Sequence, residues 1–226
     1  MVIAPHQDDE VLGCGGLIGL KRQQGVPVQV VFITDGAASH GNHPKFQLGE
    51  LTSIRKQEAL LALEILGIDK SQVFFLDKPD GQLQYLDASD AYWGRLRQQT
   101  IEQLAQLLNS FQPGEVFVPH RQDRIKDHEV TYELTEAAVQ LAGIKADVLQ
   151  YPIWILWKSL LFRDMNLDEL ACAYRLPIHP VHSKKMQAIG AYRSQCQPVD
   201  AQTPAVLKPG FLRRFFVPYE FFFKPE

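Results

Sequence analysis

The segment Pro5-His6-Gln7-Asp8-Asp9-Glu10 places one imidazole and three carboxylates within five consecutive residues, His6 to Glu10. Two chemistries suit it. As the start of a helix, Asp8 or Asp9 would cap free amides, and Glu10 would sit in the first turn against the helix dipole. As a metal site, imidazole nitrogen and carboxylate oxygen are both zinc donors, and a catalytic zinc needs three protein ligands and one open position. His6 and Asp9 are three residues apart, close enough to share one ion. A third ligand must then come from elsewhere in the chain. The other histidines are candidates: the HxxH pairs His40/His43 and His179/His182, and His120 and His128, which flank a charged segment. Each alone has an ordinary alternative as a solvated or core ring. Asp127-His128 stands out because it opens a helical pattern, although Asp127 could equally be an N-cap there.

The elements that must position these groups are legible from hydrophobic spacing. Val2-Ile3-Ala4 is the end of a short buried strand, stopped by Pro5. The spacing then predicts helices over residues 11–24, 51–66, 91–109 and 128–141. Strands are predicted over 28–33, 73–76, 115–118 and 148–151. Beyond Pro152 the pattern is less regular, with a strand expected at 171–176, a helix at 182–195 and a strand at 215–223. Alternating strands and helices imply βαβ units and a mostly parallel sheet. In such sheets ligands bind beyond the carboxyl ends of the strands. Those ends are the loops 5–10, 34–49, 77–90 and 119–127, all rich in Asp, His and Gly. Both halves of the proposed metal site must meet in one cleft, which implies a single domain over residues 1–226.

Composition excludes several classes. The chain has 226 residues, 46% hydrophobic and 22% charged, with a net charge of −3. That balance is ordinary for a globular protein and argues against global disorder and against a general nucleic-acid binder. No run of about 20 apolar residues is present, so no membrane span is expected. The N-terminus has neither a basic nor an apolar leader region, and the three cysteines form no CxxC pair. Both features fit a reducing cytoplasm. The run Gly13-Cys14-Gly15-Gly16 lacks the spacing of a dinucleotide fingerprint.

At the level of motifs the chain resembles the LmbE/PIG-L family of zinc-dependent N-deacetylases. Residues 5–10 are similar to the PHPDDE signature, with Gln7 at the usual proline. Residues 123–128 resemble the second signature, D-x-H-x-D-H. Thr34-Asp35-Gly36, Arg55 with Glu58, the loop 76–81, and Lys185, Ala188 and Ser194-Gln195 are weaker matches in the family's order. The resemblance implies a Rossmann-like α/β fold and metal ligation by His6, Asp9 and His128, with Zn2+ as the metal and Fe2+ compatible with the same ligands. It implies Asp8 as the general base. The substrate class it implies is a small-molecule N-acyl amino sugar or glycoconjugate. A homo-oligomer is compatible with every feature of the sequence.

One departure bears on catalysis. The family's motif histidine, which pairs with the following Asp and helps stabilise the tetrahedral intermediate, is Ile125 here. Ile125 can neither donate a hydrogen bond nor carry charge. A weakly active or non-catalytic relative is therefore the rival reading. His120 is the first candidate to replace the missing donor, ahead of Arg121 and Arg124, and Asp127 would lose its usual partner. Arg55 and Asp80 are candidate contacts to sugar hydroxyls, against a surface salt bridge and a turn Asp. Tyr151-Pro152-Ile153-Trp154 and Trp157 are either an aromatic wall or core. Cys14 is expected to be packed, and Arg213-Arg214-Phe215-Phe216 to be an edge strand. The chain begins five residues before His6, so a short first strand is expected to hold the metal loop less firmly than the family's longer one.

Overall fold

A computed structural model describes residues 1–41, 43–46, 49–87, 90–155 and 170–224. Five parallel strands form its centre: β1 (Val2–Ala4), β2 (Val30–Thr34), β3 (Val73–Lys78), β4 (Glu115–Pro119) and β5 (Asp147–Tyr151). Between them run α1 (Asp9–Gln23), α2 (Glu50–Ile65), α3 (Ala91–Phe111) and α4 (Lys126–Ala142). The C-terminal part adds β6 (Ala173–Pro177), α5 (His182–Ala191), α6 (Arg193–Cys196), α7 (Pro209–Leu212) and β7 (Tyr219–Phe223). The seven strands lie in the order β3-β2-β1-β4-β5-β7-β6. Among the described residues, β7 alone runs antiparallel to the rest of the sheet, pairing with β5 and β6.

The sheet is covered on both faces, which is why β1 and β2 are apolar without a polar side. Alternation along each strand sends successive residues to opposite layers. Val2, Ala4, Val30 and Phe32 enter one core, with Leu12 and Cys14 of α1 and Leu63 of α2. Ile3, Val31 and Ile33 enter the other, with Leu104 and Leu108 of α3 and Leu134 of α4. The chain leaves β1 toward β2 and β3, then returns to the other side at β4. The sheet order therefore reverses between β1 and β4, and the loops after these two strands flank the crevice where such folds bind ligands. They are the loops that carry residues 5–8 and 120–125.

The element sequence follows the sequence-based expectation, and the fold is a single α/β domain of the Rossmann-like kind. Three details differ. The expected helix over 182–195 is two helices, interrupted at Tyr192 (φ −78°, ψ 62°). The expected strand over 215–223 starts only at Tyr219, because Pro218 lacks an N–H and Phe215 turns into the core. Arg213–Phe216 is thus not an edge strand; β6 holds the edge. Trp157 lies outside the described residues. Among those residues, no helix is long and apolar enough to cross a membrane.

The first helix is held by charge as well as by packing. In mid-α1 the amides of Gly16 and Leu17 donate to the two carboxylate oxygens of Glu220, at 2.6 and 2.8 Å. Lys185 Nζ donates to Glu220 at 2.7 Å and to the Leu12 carbonyl at 2.8 Å. Both charged side chains are buried. The close approach needs a glycine: a Cβ on Gly16 would stand 2.5 Å from Ile178 Cγ2.

Candidate active site

His6, Asp8 and Asp9 enter from the β1 loop and the start of α1, and His128 enters from the first turn of α4. Asp9 Oδ2 lies 3.1 Å from His6 Nδ1 and 3.3 Å from His128 Nε2. One ligand atom from each of the three falls within 4.8 Å of the others. Two imidazole nitrogens and one carboxylate oxygen make a zinc donor set with a coordination position to spare. His128 is fully buried, and neither ring nitrogen has a hydrogen bond of acceptable geometry, although each lies close to a carboxylate. A polar atom in that state calls for an ion or other partner. The residues therefore fit a divalent metal.

The neighbouring carboxylates fix both rings. His128 Nδ1 sits 2.7 Å from Asp123 Oδ2, leaving Nε2 toward Asp9. Asp123 is wholly buried and also accepts from the amides of Ile153, Trp154 and Ile155 at 2.9–3.0 Å. His6 Nε2 lies 3.0 Å from Asp80 Oδ1 and 3.3 Å from Asp127 Oδ2. With that nitrogen engaged, Nδ1 is the one facing Asp9. Carboxylates that hold the far nitrogen of an imidazole ligand in this way set its tautomer and raise its basicity. Asp80 also accepts from Ala38 N at 2.7 Å. Asp127 accepts from Gly81 N at 2.7 Å and Leu83 N at 3.1 Å, so it ties the β3 loop to α4 rather than capping its own helix.

Burial and crowding of like charges shift the acids apart. Burial would raise Asp9, but the charges and hydrogen bonds of His128 and His6 hold its carboxyl far below the usual range. Burial pushes Asp8 up to about 7, with Arg55 opposing and the Asp9 charge adding. Burial lowers His128, but Asp9 and Asp123 outweigh it and bring the ring up to about 9. A cation that takes the place of such protons meets a site already arranged to hold positive charge.

Asp8 does not serve as a helix cap. It occupies the N-cap position of α1, makes no side-chain capping bond, and has φ 143°. That conformation is costly for a residue with a Cβ, on the order of 1–3 kcal/mol. Glu10 holds it: Glu10 Oε2 accepts from Asp8 N at 3.0 Å, and Glu10 Oε1 accepts from the Tyr192 hydroxyl. The break between α5 and α6 is what brings Tyr192 to Glu10. Arg55 is buried, not a surface residue. It donates to Gln7 O at 2.7 Å and Gly36 O at 3.0 Å, and lies 3.5 Å from Asp8 Oδ1. Gln7, at the family's proline, donates from Nε2 to Thr34 O at 2.8 Å and joins the ends of β1 and β2.

A cavity of about 420 Å³ opens over this cluster, in the range of small-molecule clefts. His6, Asp8, Asp9, Asp80, Asp127 and Arg55 all line it. Ile125 lines it too. His120 is not among the lining residues. Its ring packs edge-on against Phe223, 5.0 Å between centroids, and its Nδ1 accepts from Gln122 N at 3.2 Å. The geometry therefore does not support His120 as the missing donor. Trp154 lines the cavity, whereas Tyr151 is core, with its hydroxyl on Ile3 O at 2.9 Å. His40, His43, His179 and His182 do not join the cluster. Asp123 is the participant that the sequence left without a role, and Glu10 had only that of an acid in the first helical turn. Asp123 had a signal, as the first residue of the second motif.

Residues 1–139 match the family model described as PIG-L, GlcNAc-PI de-N-acetylase. A probable N-acetyl-α-D-glucosaminyl L-malate deacetylase 2 from Bacillus subtilis is 30% identical over 200 residues, covering 87% of this chain and 83% of the relative. Among solved structures, the N,N'-diacetylchitobiose deacetylase from Pyrococcus horikoshii superposes with a TM-score of 0.63 at 22% identity, covering 95% of this chain and 74% of that one. GalB, the 4-carboxy-2-hydroxymuconate hydratase from Pseudomonas putida KT2440, does so with a TM-score of 0.65 at 25% identity, covering 86% and 78%. The fold thus also carries a relative named for a different reaction, and activity must be argued from the site.

Proposed function

The chain belongs to the PIG-L family of GlcNAc-PI de-N-acetylases, and on that footing we propose that it hydrolyses the N-acetyl amide of an amino sugar or glycoconjugate with a divalent metal, Zn2+ or Fe2+. One observation carries the reading. His6, Asp9 and His128 converge at the sheet's reversal point with Asp8 beside them, its carboxyl raised to about 7. His6 Nδ1, Asp9 Oδ2 and His128 Nε2 would hold the ion. Bound there, a divalent ion supplies Lewis acidity toward a water and the scissile carbonyl.

The chain's own residues supply the rest. Asp8 accepts a proton from the attacking water and later delivers it to the leaving amine, which suits a carboxyl whose proton affinity is raised by burial. Its strained backbone, held by Glu10, keeps the side chain off the helix amides and in the cavity. Arg55 limits how far the Asp8 carboxyl rises. Asp80 and Asp127 orient His6, and Asp123 orients His128. With Ile125 in place of an imidazole, the developing oxyanion has one donor fewer, so turnover is slower than in a relative with histidine there.

The test pairs metal analysis of the purified protein with free-amine release from a panel of N-acetylated sugars. The reading expects a divalent metal in the protein and amine release that Asp8→Ala abolishes. Metal-free protein as isolated, or undiminished release by Asp8→Ala, would sink it.

A further inference from the structure

Resting on that reading, we propose that the substrate carries a neutral, apolar alkyl group next to the amino sugar, seated on the wall formed by Ile125, Ile153, Trp154, Val206, Leu207 and Phe211. The wall is one side of the cavity above the acid cluster. It is a built surface. Trp154 and Phe211 pack against each other with ring centroids 4.5 Å apart and planes tilted by 31°, and Ile153, Leu207 and Phe211 belong to the main core. Asp123, which orients His128, also accepts from the amides of Ile153 and Trp154, so the wall and the metal side share one rigid anchor. Ile125, Trp154 and Val206 are only partly buried and line the cavity.

The charged groups of the cavity are already engaged, which argues against an anionic substituent. Arg55 donates from its two terminal nitrogens to backbone carbonyls and stands beside Asp8. Lys126 at the rim pairs with Glu129 at 2.5 Å. Four of the residues that line the cavity are aspartates, and its Arg55 and Lys126 each already stand beside a carboxylate. An alkyl group meets no such cost, and each methylene buried on the wall adds about fourfold in affinity. The alkyl group can belong to the acyl chain or to the aglycone, and the two are separable by experiment.

Binding is measured by calorimetry on metal-loaded Asp8→Asn protein, and kcat/KM on the wild type, with two short series. One compares methyl, carboxymethyl and hexyl glycosides of N-acetylglucosamine. The other compares N-acetyl with N-hexanoyl glucosamine. In at least one series the hexyl member should bind about tenfold or more tightly, and carboxymethyl should bind no better than methyl. The aglycone series responding alone assigns the wall to the aglycone; the acyl series responding alone assigns it to the acyl chain. Ile125→Ser and Val206→Ser should each shrink the ratio. Equal binding across both series, tighter binding of carboxymethyl, or a ratio untouched by both substitutions would overturn the proposal. Amine release without chain-length preference would leave the deacetylase reading standing and remove this one. Hexyl binding with no release from any compound would do the reverse.

Discussion

Asp123 holds His128 from behind: 2.7 Å separates Asp123 Oδ2 from His128 Nδ1 in a pocket closed to solvent on both sides. The same carboxylate accepts three backbone amides at 153–155, so it is immobile when it meets the ring. This is how a carboxylate outside the ligand set tunes a metal site. Asp123→Asn should lower metal affinity by about 10–100-fold while the other two ligands remain in place. Competition titration against a chromophoric chelator measures it. Wild-type affinity in the variant would mean that the contact does not orient the ligand.

Asp8 makes the opposite prediction. It is next to a ligand but is assigned to proton transfer, so Asp8→Asn should keep full metal content. Turnover should fall by about 10²–10⁴-fold, the usual worth of a positioned general base. Metal content and amine release from one preparation separate the two roles. Loss of metal together with activity would make Asp8 a ligand instead.

Ile125 reaches the cavity yet offers no donor. Ile125→His places an imidazole two residues before Asp127, the spacing of the family motif. It should raise kcat on N-acetylglucosamine about tenfold or more, within the range that one preorganised donor is worth. A kcat that stays level or drops would show that another group already fills the role, or that Asp127 cannot leave His6 and the amides of Gly81 and Leu83 to serve a new partner.

The Lys185–Glu220 pair gives a stability prediction far from the cavity. Removing one member of a buried pair leaves the other uncompensated, at a cost of about 3–5 kcal/mol. For a chain of this size, Lys185→Met should lower the Tm by about 6–20 °C. Thermal unfolding followed by circular dichroism checks it. A shift within one or two degrees would mean that Glu220 is satisfied by the Gly16 and Leu17 amides alone.

Much of this was legible in the sequence, for physical reasons. The strands at 2–4, 30–34 and 115–119 are apolar on both faces because helices cover both sides of the sheet, and an apolar run that ends at an acidic, glycine-rich loop marks a strand's carboxyl end. The spacing of His6 and Asp9 marks half of a site, whereas His128 as their partner rests on the resemblance of residues 123–128 to the family's second motif. The roles of the surrounding carboxylates were not legible. Asp80, Asp123 and Asp127 look alike along the chain, and only their register across loops shows which imidazole each one meets. The strained Asp8 backbone was hidden as well. Asp at an N-cap is ordinary, and nothing local says that Tyr192 and Glu10 would hold it at φ 143°. For His120, position relative to a strand end does not say which way a ring points. Phe223, from the distant β7, takes that ring into the core.

The central claim is that His6, Asp9 and His128 hold a divalent metal on which amide hydrolysis depends. Its most direct test is to strip the protein with a chelator, then return zinc in sub-stoichiometric steps, reading bound zinc and amine release in the same samples. The account predicts that both rise together to one equivalent per chain, and that His128→Ala removes both. Release that persists in metal-free protein, or that fails to follow zinc binding, would contradict it.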